Sequence, residues 1–144
     1  MEKVTVFLDS NVLFSVTWTG REKSRSVILF ELQSLGFVRL FISRLVLEET
    51  LFNLREKRPE AIPFVEELLG EVEVVPDLAV EGEDLRVQGL PENDRLILST
   101  AVSQGMDFFL TGNSKDFRGL YRSRIGRTLI LSPREFLNRQ LPEE

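Results

Sequence analysis

Residues 91–110 read PENDRLILSTAVSQGMDFFL, and this stretch decides the fold class. Pro91 stands where a helix can begin, because its missing N–H and fixed φ suit a first turn. Leu96, Ile97, Ala101 and Val102 then recur at helical spacing, and Gly105 supplies a stop. Asp107–Leu110 follows as a short apolar run, which predicts a buried strand. A helix leading directly into a buried strand is the repeating half of a parallel α/β unit.

The same alternation extends in both directions. Lys3–Leu8 is a compact run of Val and Phe that predicts a first buried strand. In Ser24–Leu35 (SRSVILFELQSL), Val27, Ile28, Leu32 and Leu35 share one helical stripe before Gly36. Val38–Ile42 predicts a second strand, and Ser43 can cap a helix over Arg44–Lys57 that Pro59 limits. Pro63–Leu69 is a further pair of helical turns closed by Gly70, and Glu71–Val75 a third strand. The mixed, Gly-containing segment Pro76–Leu90 receives no element. Asp107–Leu110 is thus the fourth strand, Thr128–Leu131 the fifth, and Pro133–Leu141 a terminal helix. There is no repeat, low-complexity tract or linker. Residues 1–144 are therefore expected to form one three-layer α/β domain, its central five-stranded sheet mostly parallel and flanked by helices.

Composition sets bounds on function. A chain of 144 residues should bury roughly 68% of its unfolded surface, and 42% hydrophobic residues argue against disorder. The opening MEKVTVFLDS reads as a strand rather than a signal peptide or membrane span. With no cysteine there is no disulfide framework, which is compatible with the cytoplasm, and a soluble, cytoplasmic protein is the expectation. The net charge of -5 hides a segregation. Glu60 to Asp94 holds eleven acids against the single base Arg86, whereas Lys115 to Arg139 holds seven bases against Asp116 and Glu135. A basic face beside an acidic pocket suits a polyanion gripped by its backbone, although a solvated arginine face reads the same way.

The chain has no His and no Cys, which removes most routes to a nucleophile, a general base or a zinc site. Carboxylates and amide oxygens remain, and hard divalent cations prefer them. Ligands of parallel α/β sheets bind outside the carboxyl ends of the strands. Asp9 follows the first strand, Thr111-Gly112-Asn113 follows the fourth, and Asp94 lies in the first turn of the helix leading to it. Glu48 and Glu49 are one turn into the helix after the second strand, and Asp116 closes TGNSKDF. Taken singly, each acid reads equally as a turn former, a helix cap or a solvated residue. Taken together at one rim, they would repel one another unless a cation compensated them.

Four blocks carry a resemblance: LDSNVL, ISRLVLEETLFNL, PENDRLILSTAVSQG and FFLTGNSKDF. In this order and spacing they resemble the signature blocks of PIN domains, metal-dependent ribonucleases that include the VapC-like toxins of toxin–antitoxin pairs. The ending LILSPREFL is similar to the last strand and helix of a PIN subgroup of toxin components, so the resemblance spans about residues 3–133. It implies a PIN-like fold with Asp9, Glu49, Asp94 and Asp116 as catalytic and metal-binding acids, Glu49 being preferred to Glu48. Asn11, Thr111 and Asn113 would support them. Asn113 stands in a slot that often holds a carboxylate, which weakens the expected hold on a second cation.

The implied chemistry is hydrolysis of single-stranded or structured RNA with one or two Mg²⁺ or Mn²⁺ ions, roughly 3.5–4 Å apart if two are bound. Arg118, Arg122 and Arg124 are candidates to grip flanking phosphates. Trp18 and Tyr121 could stack a base, although packing is the plainer role for each. The resemblance also implies a cognate antitoxin and a homodimer, for which the apolar helix around Val27–Leu35 offers either a face or core. Two rivals stand beside this reading. One is a PIN fold kept only as a non-catalytic interaction module. The other is a phosphatase of the haloacid-dehalogenase type, which wants a second Asp where this chain has Asn11.

Overall fold

The computed structural model describes residues 3–19, 26–79 and 84–140, the side chains of Trp18 and Thr19 excepted. The suggestion that Trp18 stacks a base, and the first two residues of the helix expected at 24–35, lie outside the described residues. Strand β1 (Val4–Leu8) is followed by α1 (Ser10–Thr19), α2 (Val27–Ser34), β2 (Val38–Ser43) and α3 (Arg44–Lys57). A 3-10 turn at Pro59–Ala61 leads into α4 (Ile62–Leu68) and β3 (Glu73–Val75). Next come α5 (Leu85–Gln88), α6 (Glu92–Ser103), β4 (Phe108–Leu110) and α7 (Ser114–Phe117). A second 3-10 turn (Arg118–Leu120), β5 (Arg124–Ile125), β6 (Thr128–Leu131) and α8 (Pro133–Gln140) complete the chain.

The strands lie in the order β3-β2-β1-β4-β6-β5. Central β1 pairs in parallel with β2 on one side and β4 on the other, Val6 standing opposite Leu40 and Phe108. The carboxyl ends of these strands therefore share one rim. Apart from Val4, Thr5 and Arg39 their residues are buried, on both faces of the sheet, which is why they read as largely apolar runs rather than alternating ones.

The described sheet has six strands where five were expected. The extra member is the two-residue β5, antiparallel to β6 through a tight turn with Gly126 at φ 62. A two-residue strand has no period to detect, and it exists because β6 offers it an edge. Helix α1 carried no expectation either. Its Val12, Val16 and Thr17 are β-branched and lower its intrinsic propensity. Burial of Val12, Leu13 and Val16 supplies what propensity does not. In α2 the buried residues are Leu29, Phe30 and Leu32, and Leu35 is 70% exposed. Core packing therefore takes one side of this helix, on a stripe shifted from the one its spacing suggested.

Aromatic rings tie the rim to the core. Phe7 of β1 stacks on Phe109 of β4 with centroids 5.8 Å apart, and Phe117 of α7 packs on Phe109 at 5.5 Å. Phe117 thus pins the short helix carrying Asp116 to the centre of the sheet. Among the described residues no helix is long and apolar enough to cross a membrane.

Candidate active site

At the end of β1 the Asp9 N–H donates to Leu110 O at 3.0 Å, and the Asp9 carbonyl accepts the Val12 N–H at 3.1 Å to start α1. This turn drives the Asp9 side chain inward, to 1% exposure. Asp9 Oδ1 accepts the Ser10 N–H at 2.8 Å. Oδ2 accepts Thr111 Oγ1 at 2.7 Å and Asn11 Nδ2 at 3.2 Å. Asn11 closes the loop, because its Oδ1 accepts the Gly112 N–H at 2.7 Å. Burial pushes the Asp9 carboxyl up to about 6, and the Thr111, Ser10 and Asn11 bonds oppose that rise, while the Glu49 charge adds to it.

Glu49 comes from α3, whose start is set by Ser43 Oγ accepting the Val46 N–H at 3.3 Å. Glu49 Oε1 accepts Ser10 Oγ at 2.9 Å and Oε2 accepts Asn93 Nδ2 at 3.1 Å. Asp94, in the first turn of α6, has its carboxyl pushed up to about 7. Burial is the main cause, followed by the charge of Asp9, a hydrogen bond with Asp116, and the charges of Asp116 and Glu49. Asp116 is oriented by Asn113, which caps α7: Asn113 Oδ1 accepts the Asp116 N–H at 3.3 Å and Nδ2 donates to Asp116 Oδ2 at 2.9 Å.

These groups border a cleft of about 890 Å³, lined by Ser10, Asn11, Glu49, Asn93, Asp94 and Asp116 among others. The donor set is oxygen-only and rich in carboxylate, which fits Mg²⁺ or Mn²⁺ and not a soft metal. Asp94 in particular feels the charges of Asp9, Asp116 and Glu49. Among the described residues, no three acids are drawn together tightly enough to enclose an ion as the side chains stand. Asp9, Glu49 and Asp116 are held instead by neutral donors, which a cation would have to displace or share.

The PIN domain family model matches residues 6–122. The chain belongs to the PIN domain family. Among solved structures it is similar to DNA-bound VapBC from Salmonella typhimurium (TM-score 0.66, 18% identity, covering 90% of this chain and 98% of that one). It is also similar to VapBC2 from Rickettsia felis bound to a DNA fragment from their promoter (TM-score 0.63, 16% identity, 90% and 98% covered). A third is VapBC-1 from nontypeable Haemophilus influenzae (TM-score 0.59, 21% identity, 91% and 99% covered). At these identities the likeness is one of fold. No curated protein sequence matches the chain significantly.

All four sequence blocks of the PIN chain reach the cleft. Asp94, Asp116 and Glu49 line it, and Asp9 lies buried beneath, clamped by Asn11 and Thr111. Glu48 stands on the same wall, but Glu49 is the one engaged by Ser10 and Asn93. Asn113 orients Asp116. Ser10 and Asn93 were not anticipated. Each is the chain neighbour of an acid already singled out, and only the fold brings both to the same glutamate.

The basic segment proves not to be one face. Arg122 pairs with Glu135 at 2.5 Å. Arg124 borders a separate hollow with Asp107 and Arg127, beside the amino end of β4 and thus at the far end of the sheet from the acids. Arg118 is exposed just beyond α7. Tyr121 is committed to structure, its hydroxyl donating to Thr111 O at 2.8 Å.

Proposed function

We propose that this PIN domain is a Mg²⁺- or Mn²⁺-dependent endoribonuclease acting on single-stranded or looped RNA, the toxin of a toxin–antitoxin pair. The observation that carries it is geometric: Glu49, Asp94 and Asp116 line one cleft at the strand rim, and Asp9 lies buried beneath them. Acids crowded at a strand rim cost stability and are kept where a cation is meant to meet them. When bound, that cation supplies the polarised phosphate and acidified water that a chain without His or Cys has no side chain to provide.

The protein's own residues hold the site ready. Thr111 and Asn11 favour the charged form of Asp9 against its burial. Ser10 and Asn93 keep Glu49 turned toward the cleft, and Asn113 does the same for Asp116. Asn11 spends its amide on Asp9 and Gly112, so it serves as a clamp and not as the second acid of a phosphatase. Arg55, on the cleft wall, and Arg118 would hold flanking phosphates; Arg122 and Arg124 are placed less well for it. A cognate antitoxin is proposed because the solved structures of this fold include VapBC complexes. Self-association, a cytoplasmic setting and a single domain over 1–144 complete the reading.

Incubation of the purified chain with labelled single-stranded RNA tests it. Cleavage should appear with Mg²⁺ or Mn²⁺, stop with EDTA and be poorly supported by Ca²⁺, whose looser coordination activates water less. Unchanged cleavage in EDTA would overturn it. If neither cation gives cleavage nor raises the melting temperature, the non-catalytic module is the correct reading.

A further inference from the structure

Helix α3 turns two stripes in different directions. Val46, Thr50 and Leu54 are buried and join it to the core. Leu45, Glu48, Glu49, Phe52 and Arg55 recur at helical spacing on the cleft side. Phe52 is anomalous there, a phenylalanine 60% exposed among lining residues that are mostly polar. The core does not need it, since the small cluster against α4 is built on Leu54, Ala61 and Val65.

The position of the ring relative to the acids is informative. Phe52 lies three residues beyond Glu49, about 4.5 Å along the helix axis, and Arg55 about as far again. Asn53 lines the cleft beside them. Leading away from the acids, one wall thus offers an aromatic face, an amide and a guanidinium. A nucleotide has matching parts: a base with a π-face, polar base edges and a phosphate. An apolar peptide would not match the charges around the ring. Tyr121, the other described aromatic considered for this role, is tied to Thr111.

We propose that Phe52 is the stacking platform for a nucleobase next to the scissile phosphate of single-stranded RNA, with Arg55 on the adjoining phosphate. The proposal rests on the ribonuclease reading of the cleft and adds the determinant of how the substrate is seated.

Binding of a short, labelled, phosphorothioate-protected oligoribonucleotide, followed by anisotropy, tests it. A companion set carries one abasic residue at each successive position. Phe52→Ala should weaken binding about tenfold, as loss of one stacked base does. Phe52→Trp should restore it, and Phe52→Leu, which keeps apolar bulk without a ring, should not. At one abasic position the wild type and Phe52→Ala should bind alike, because the partner of the ring is gone. In cleavage assays Phe52→Ala should raise KM and leave kcat at saturating RNA nearly unchanged. Equal binding by wild type and Phe52→Ala, full rescue by Phe52→Leu, or the same loss at every abasic position would overturn the proposal. So would loss of self-association in Phe52→Ala with RNA binding intact. A wild type that binds with the expected abasic pattern yet never cuts would refute the nuclease reading and leave the platform standing.

Discussion

Thr111 Oγ1 donates to Asp9 Oδ2 at 2.7 Å, a buried bond joining the ends of β4 and β1 across 102 residues of chain. It satisfies the most deeply buried acid of the cleft and opposes the burial that raises its pKa. Thr111→Val should therefore cost about 1–3 kcal/mol of stability, the usual cost of leaving a buried acceptor short of a partner. It should also move the Asp9 pKa above its present value of about 6. Thr111→Ser should restore most of both. Chemical denaturation and an NMR titration of the Asp9 carboxyl would check this, and a fully stable Thr111→Val would show that the bond contributes little.

The crowded acids make stability depend on pH in a particular direction. Asp9 at about 6 and Asp94 at about 7 both lie above the ordinary 3.8. Between those limits the folded chain binds more protons than the unfolded chain, so these two groups stabilise the fold as pH falls from about 7 toward 4. Asp84, Asp107 and Glu135, held low, pull the other way only in stronger acid. Without divalent cations the melting temperature should thus be higher at pH 5 than at pH 8. Millimolar Mg²⁺ should raise it most at pH 8, where it no longer competes with protons.

Asp94→Asn should remove much of that slope. With no charge to repel at this position, the variant should be as stable as the wild type or more so at pH 8, and inactive. A marked fall in its melting temperature at pH 8 would reassign Asp94 to structural capping of α6.

Roles within the acid set can be separated by rate. Asp9→Asn and Glu49→Gln should each lower cleavage on the order of 10²-fold or more, as loss of a metal ligand or its close support does. Glu48→Gln should have a far smaller effect, because Ser10 and Asn93 hold Glu49 and not its neighbour. Ser10→Ala and Asn93→Ala should fall between the two. Equal losses in Glu48→Gln and Glu49→Gln would remove that distinction.

Gly112 tests the clamp from the backbone side. A Cβ there would sit 3.2 Å from Asn11 Oδ1, closer than the amide tolerates without shifting. Gly112→Ala should loosen Asn11 from Asp9 and lower activity, with little change in melting temperature because Gly112 lies in an exposed loop. Wild-type activity in this variant would mean that the amide has room to give.

Much of the fold was legible because its parallel strands are buried on both faces. Val4–Leu8, Val38–Ser43 and Phe108–Leu110 stand out as apolar runs, and the helices between them carry caps or stops such as Ser43 and Gly105. The exceptions have common physical causes. Helix α1 is β-branched and depends on burial, and β5 is two residues long and depends on a neighbouring edge. Neither signal resides in local sequence.

For the site, the sequence by itself determined the chemistry on offer: no His, no Cys, and acids placed after strands and at helix starts. That is a property of residue types and spacing. Only the tertiary structure decided which of those groups meet. It brought Ser10 and Asn93 to Glu49 and Thr111 to Asp9, and carried Arg124 to the far end of the sheet. The physical reason is that hydrogen bonds and charge coupling act over a few ångströms, between residues that can be 102 positions apart in the chain.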